Sequence, residues 1–172
     1  MIRFRESALL WLPVAIVVLV LDQWTKSLAT QMLPLYQPVE VIPHFNLTLS
    51  HNTGAAFSLL ADQGGWQRWF FTVVAAVVSA GLVMYLRYKV RASEKWAALA
   101  FVLILGGALG NLWDRIRLGY VVDFIDLYYG QYHWPAFNVA DSAISVGAVM
   151  LIIEMFRPGN HTEKAERPGT RK

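Results

Sequence analysis

At 172 residues, 56% of them hydrophobic and with a mean hydropathy of +0.40, the chain has the length of one domain and is too apolar for an ordinary soluble one. It contains no cysteine, which excludes disulfides, thiolate nucleophiles and thiolate-bound metals and leaves any chemistry to oxygen and nitrogen groups. The net charge of +3 is modest, and the basic residues sit in short clusters beside apolar runs, with no basic-aromatic patch of the kind that binds nucleic acid.

Arg3 and Arg5 precede the first apolar run, which extends from about residue 8 to 30. A cleaved signal peptide is the competing reading, and the polar stretch "DQWTK" with no small-residue cleavage site argues against it. Further runs at about 67–88, 95–115 and 136–156 are each near the roughly 20 residues that a spanning helix needs. The pattern predicts four transmembrane helices. Eleven of the fifteen Lys and Arg residues fall before helix 1, between helices 2 and 3, or after helix 4, which predicts that both termini are cytoplasmic. The outward segments hold Trp66, Trp69, Tyr120, Tyr128, Tyr129, Tyr132 and Trp134, as expected of an interfacial aromatic belt. Residues 158–172 read as a polar cytoplasmic tail.

In this orientation three helices carry polar groups into one leaflet. Asp22 and Lys26 share a face of helix 1; "GGALGNLWDR" puts Asn111, Asp114 and Arg115 at the outer end of helix 3; Asn138, Asp141, Ser142 and Ser145 form a stripe on helix 4. A charge at membrane depth costs roughly 2.5–3.5 kcal/mol on insertion scales, so such groups face the bundle interior and mark either function or helix-to-helix glue. For Asp22 with Lys26 and Asp114 with Arg115, both readings stand. Asp141 has no cation nearby on its own helix, which favours function. Gly106 and Gly110 read as close-packing positions.

The connection "GYVVDFIDLYYG" supplies two further carboxylates, Asp123 and Asp126, and pattern alone leaves open which of them joins Asp141; a solvated interfacial residue is the default for Asp126. Two carboxylates held together share a proton, one serving as base towards water and the other polarising a carbonyl. Before helix 2, alternation at Phe45, Leu47 and Leu49 followed by "NTG" predicts a short strand or small sheet, either a peptide-binding edge or a simple cap, with Asn52 at the turn. His44, His51, His133 and His161 are scattered without metal-ligand spacing, and no GxSxG or SxxK motif is present.

Five blocks in order, "LDQWTK" at 21–26, "HNTGAAFS" at 51–58, "GGALGNLWDR" at 106–115, "VVDF" at 121–124 and "FNVADS" at 137–142, resemble the lipoprotein signal peptidase, or signal peptidase II, family. The resemblance covers about residues 8–157. It implies a membrane all-α fold: a four-transmembrane-helix bundle in one domain (1–157), with a small periplasmic β-cradle at about 31–66 and a short extramembrane loop or helix between helices 3 and 4. It also implies an aspartic endopeptidase of the bacterial inner membrane, acting before the diacylglyceryl-modified cysteine of prolipoproteins. The site would face the periplasm. Carried over by position, Asp123 and Asp141 would be the catalytic pair, with Asp22, Asn52, Gly54, Asn111, Arg115 and Asn138 binding substrate or supporting the site and Lys26 structural. No cofactor or metal is implied; the partners would be precursor substrates and membrane lipids, with no nucleic acid, and the protein would be a monomer. On pattern alone, a proton-coupled transporter or a non-catalytic scaffold remains as the alternative, the former requiring polar residues through the inner leaflet, where "SAGLVMYL" and "GAVMLIIEMF" are almost wholly apolar.

Overall fold

The structure, a computed structural model, describes residues 2–54 and 66–156. Two short 3-10 turns, Phe4–Glu6 and Ala8–Trp11, lead into helix α1 (Leu12–Met32). Strands β1 (Val39–Ile42) and β2 (Phe45–Asn52) follow, then helices α2 (Trp66–Tyr88) and α3 (Lys95–Arg117), strands β3 (Val121–Tyr129) and β4 (Tyr132–His133), and helix α4 (Val139–Met155). The expected tail at 158–172, and the part of the cradle at 55–65, lie outside the described residues.

Ala8–Met32, Trp66–Tyr88 and Lys95–Arg117 are long and apolar enough to cross a membrane. Their outward faces, Ile16, Val17 and Val20 on α1 and Val73, Val77 and Met84 on α2, are exposed apolar side chains, the pattern of helices solvated by lipid. One core cluster joins Ala8, Ala15, Leu86, Val90, Ala98, Val102 and Leu105 near the N-terminal end of α1. A second, of Ala29, Leu49, Val122 and Phe124, seats the sheet on the other end of α1.

The connection between α3 and α4 differs from the expected loop or helix. It is strand β3, and it pairs antiparallel with β2 in a four-stranded sheet of order β1-β2-β3-β4. "VVDFIDLYY" is rich in β-branched and aromatic residues, and its first four positions are buried on both faces, so no apolar-polar alternation announces it. The all-α expectation therefore needs a correction: the sheet is built from both extramembrane connections, and it carries Asn52 and Asp123 towards the helix ends.

Helix α4 starts at Val139, three residues later than the apolar run suggested, because Asn138 is its N-cap. Asn138 Oδ1 accepts from the Asp141 N–H at 2.9 Å, and the Asp141 carboxylate accepts from the Asn138 N–H at 3.2 Å, a reciprocal capping box. Phe137 is extended and bridges to Ile125 of β3. Small residues let α4 approach α3 and α3 approach α1: a Cβ on Gly107 would lie 2.3 Å from the Ala140 carbonyl oxygen, and one on Gly106 2.8 Å from that of Ala15.

Candidate active site

Beneath the sheet, α1 and α3 are tied by a buried ion cluster. Lys26 Nζ lies 2.9 Å from Asp22 Oδ2, 2.8 Å from Asp114 Oδ2 and 2.9 Å from Asn111 Oδ1, so its three N–H donors are all used. The pairing differs from the expectation for Asp114: its partner is Lys26 on another helix rather than Arg115 beside it. Helical geometry explains this, since consecutive residues point about 100° apart. Asp22 Oδ1 also accepts from the Ala140 N–H at 2.9 Å, and Asp114 Oδ2 from that of Val122 at 3.2 Å, anchoring α4 and β3 to the same cluster. Gly110 makes room for it, because a Cβ there would meet Asp22 Oδ2 at 2.5 Å.

Above the cluster lies a cavity of about 510 Å³. Asp123 and Asp141 both line it, together with Asn52, Asn111 and Arg115. Asp123, 2% exposed, accepts from Asn52 Nδ2 at 3.0 Å on Oδ2 and from Asn138 Nδ2 at 2.7 Å on Oδ1. Asp141 Oδ1 accepts from Asn111 Nδ2 at 2.7 Å. Asn138 thus holds both carboxylates, one by its side chain and the other by its backbone, and Asn111 links Asp141 down to Lys26. Burial first, and then the charge of Asp141, push the Asp123 carboxyl up to about 7 against the opposing hydrogen bonds from Asn52 and Asn138.

Arg115 places its guanidinium at the cavity, donating to the Gly54 carbonyl at 3.0 Å and stacking over Phe71. Gly54 acts through its backbone: its N–H donates to Asn52 Oδ1 at 3.0 Å, which orients the Asn52 amide with Nδ2 towards Asp123. Arg68 closes the C-terminal end of α3, donating to the carbonyls of Arg115 at 3.1 Å and Ile116 at 2.9 Å.

Of the residues singled out from sequence, Asn52, Asn111, Arg115, Asp123 and Asp141 meet at the cavity, with Ser142 and Ser145 of the helix 4 stripe. Asp22 and Asn138 are wholly buried behind it, and Lys26 belongs to the ion cluster. Asp126 does not join them. Rather than a solvated interfacial group it is 5% exposed, bound to Thr48, Asn46 and His133. The sequence placed Trp134 only in the interfacial aromatic belt and did not single out Pro135, Ala136 or Phe137, yet these four wall the cavity on the sheet side. Gln23, which donates to Asp114 Oδ1 at 2.8 Å, also escaped it, and its place beside Asp22 in "LDQWTK" was the available signal.

Residues 14–157 match the family model described as Signal peptidase (SPase) II. The chain is 54% identical over 168 residues to the lipoprotein signal peptidase of Pseudomonas putida, covering 96% of this chain and 94% of that protein. It is 51% identical over 166 residues to that of Alteromonas mediterranea, covering 96% and 90%. A bacterial membrane enzyme solved by the in meso method at 2.3 Å resolution superposes with a TM-score of 0.78 at 29% identity, covering 96% of this chain and all of that one.

Proposed function

The chain belongs to the signal peptidase II family, the aspartic endopeptidases that remove signal peptides from prolipoproteins, and from that premise we propose that Asp123 and Asp141 are its catalytic pair. One observation carries the assignment: both carboxylates line one cavity and share one residue, Asn138, as hydrogen-bond donor.

Asp123 is the more buried of the two, and its raised pKa makes it the holder of the shared proton. Asp141 is then the base, at the third position of α4, where its Oδ1 accepts from the Asn111 amide. Water entering the cavity gives a proton to Asp141 as its oxygen attacks the scissile carbonyl carbon, while Asp123 donates its proton to the carbonyl oxygen. Asp141 next passes its proton to the leaving nitrogen of the modified cysteine. The carbonyl re-forms as the hydroxyl returns a proton to Asp123, and both carboxyls regain their starting states. The Arg115 guanidinium and the Asn52 amide face the charge that develops in between.

Several features support a periplasm-facing site in the inner membrane. The basic residues cluster on the side opposite the sheet, and Trp66, Trp69, Tyr129, Tyr132 and Trp134 are exposed at the sheet end. Helix α4, at 17 residues about 26 Å long, is read as the fourth span, with Val146, Val149, Ile152 and Ile153 exposed to lipid. Residues 1–157 form one domain in this reading, with 158–172 a cytoplasmic tail. In this reading the protein acts as a monomer.

The test is incubation of the purified protein with a diacylglyceryl-modified precursor, with released signal peptide followed by mass spectrometry. Asp123→Asn and Asp141→Asn each abolish release while leaving a folded protein. Turnover retained in either variant overturns the pair.

A further inference from the structure

A second cavity, of about 430 Å³, adjoins the first and shares Trp134, Pro135 and Ala136 with it as a common wall. The wall is fastened to β3 at both ends, the Trp134 N–H donating to the Leu127 carbonyl at 2.7 Å and the Phe137 N–H to that of Ile125 at 3.0 Å. The remaining linings differ. The first cavity takes Ile144, Ser145 and Val146 from α4, whereas the second is formed by residues outside every helix, among them Tyr36, Thr48, Ser50, Asp126 and His133. A precursor whose signal segment lies among the helices and whose mature segment leaves towards water meets the two cavities in that order, with the scissile bond at Asp123 and Asp141.

The chemistry of the second cavity centres on one pair. His133 Nδ1 lies 2.9 Å from Asp126 Oδ1, and Asp126 Oδ2 accepts from the Thr48 hydroxyl at 2.8 Å and from Asn46 Nδ2 at 3.4 Å. Burial opposes a charge on Asp126, but the bonds from His133, Thr48 and Asn46 outweigh it and hold the carboxyl below the usual carboxylate range. An ionised carboxylate only accepts hydrogen bonds, so in the neutral ring Nδ1 carries the hydrogen and Nε2 the lone pair. The imidazole stacks on Tyr128, is 48% exposed, and its Nε2 has no partner among the described residues. With the ring neutral, an acceptor backed by a buried anion therefore faces the cavity, and among the described residues neither lysine nor arginine lines it.

We propose that this second cavity receives the first residues of the mature segment, and that the Asp126–His133 pair selects there for side chains that donate a hydrogen bond and against carboxylates. The proposal rests on the reading that Asp123 and Asp141 cleave the bond. A donor such as a lysine ammonium or serine hydroxyl satisfies Nε2; a glutamate brings a second acceptor towards a like charge and loses water without replacing it.

The test uses three modified precursors that differ only in the two residues after the cysteine, both Ser, both Lys or both Glu. The wild-type protein is expected to cleave the Ser and Lys precursors with kcat/KM about tenfold above the Glu precursor, mostly through KM. Asp126→Asn and His133→Phe each bring the ratio to about twofold or below while the Ser precursor is still cleaved. His133→Phe keeps a ring on Tyr128 at a half-exposed position, so it carries the test if Asp126→Asn does not fold. A wild-type enzyme indifferent to these residues, or a ratio unchanged in His133→Phe, overturns the proposal. Asp123→Asn run alongside keeps the two readings apart: turnover there overturns the catalytic pair, whatever the ratio.

Discussion

The side-chain amide of Asn138 donates to Asp123 Oδ1 at 2.7 Å from the N-cap of α4, so one residue starts the helix and holds a carboxylate on the neighbouring strand. Those two duties are separable by mutation. Asn138→Ala removes both and is expected to cost about 1 kcal/mol of stability for the lost cap, with a larger effect on turnover than stability explains. Asn138→Ser keeps a capping oxygen but no amide, and is expected to recover the unfolding temperature and not the rate. Thermal unfolding in detergent beside a cleavage assay measures both.

Asp123 has a pKa raised to about 7 in the folded protein, so ionising it is harder folded than unfolded. That penalty is absent below about pH 4, the ordinary range of an aspartate; it grows as pH rises and is complete above about 7. Asp123→Asn is therefore expected to unfold at a higher temperature than the parent at pH 8, with the difference shrinking towards pH 4. The parent's kcat/KM is expected to fall as pH passes about 7, because the proton donor is lost. Unfolding temperatures across pH and a pH-rate profile check the two limbs.

Lys26→Met leaves Asp22 and Asp114 buried without their cation, and removing one partner of a buried ion pair costs about 3–5 kcal/mol. The expected outcome is a protein recovered in poor yield or unfolding well below the parent. Lys26→Arg is not expected to restore it, since a planar fork replaces a compact ammonium whose three donors point to three different residues. Yield and thermal unfolding of both variants decide this.

Glycine substitutions report where helices touch. Gly107→Ala drives a methyl to 2.3 Å from the Ala140 carbonyl, next to Asp141, and is expected to push α4 away from α3 and lower cleavage at least tenfold. Gly81→Ala has nothing within 4 Å of its new methyl and is expected to match or exceed the parent's stability by up to about 1 kcal/mol. Cleavage assays and melting curves of the two alanine variants make the comparison.

The helices were legible because lipid imposes a simple rule, some twenty apolar residues in a row, and α2 and α3 start and end within about two residues of the expected limits. The convergence of Asp22, Asn111, Asp141 and their neighbours was legible too, since helix direction alone sends them to one end. Strand β3 was not. Buried on both faces and paired with a strand some seventy residues earlier, it carries no period of its own, and Asp126 looked solvated until Thr48, Asn46 and His133 were brought around it. Nor does any local pattern reveal that Lys26 divides its charge between Asp22 and Asp114, because that choice depends on how two helices face each other.

That division has a bearing on how the protein is made. When α1 emerges from the ribosome, Lys26 has only Asp22 within reach; Asp114 and Asn111 arrive with α3, and the Ala140 N–H that completes Asp22 arrives last. The first helix therefore waits in the membrane with its charges half-matched, and the cluster is satisfied only when the chain is nearly complete. Truncated nascent chains ending before α3 are the ones expected to be recognised as unfinished and degraded.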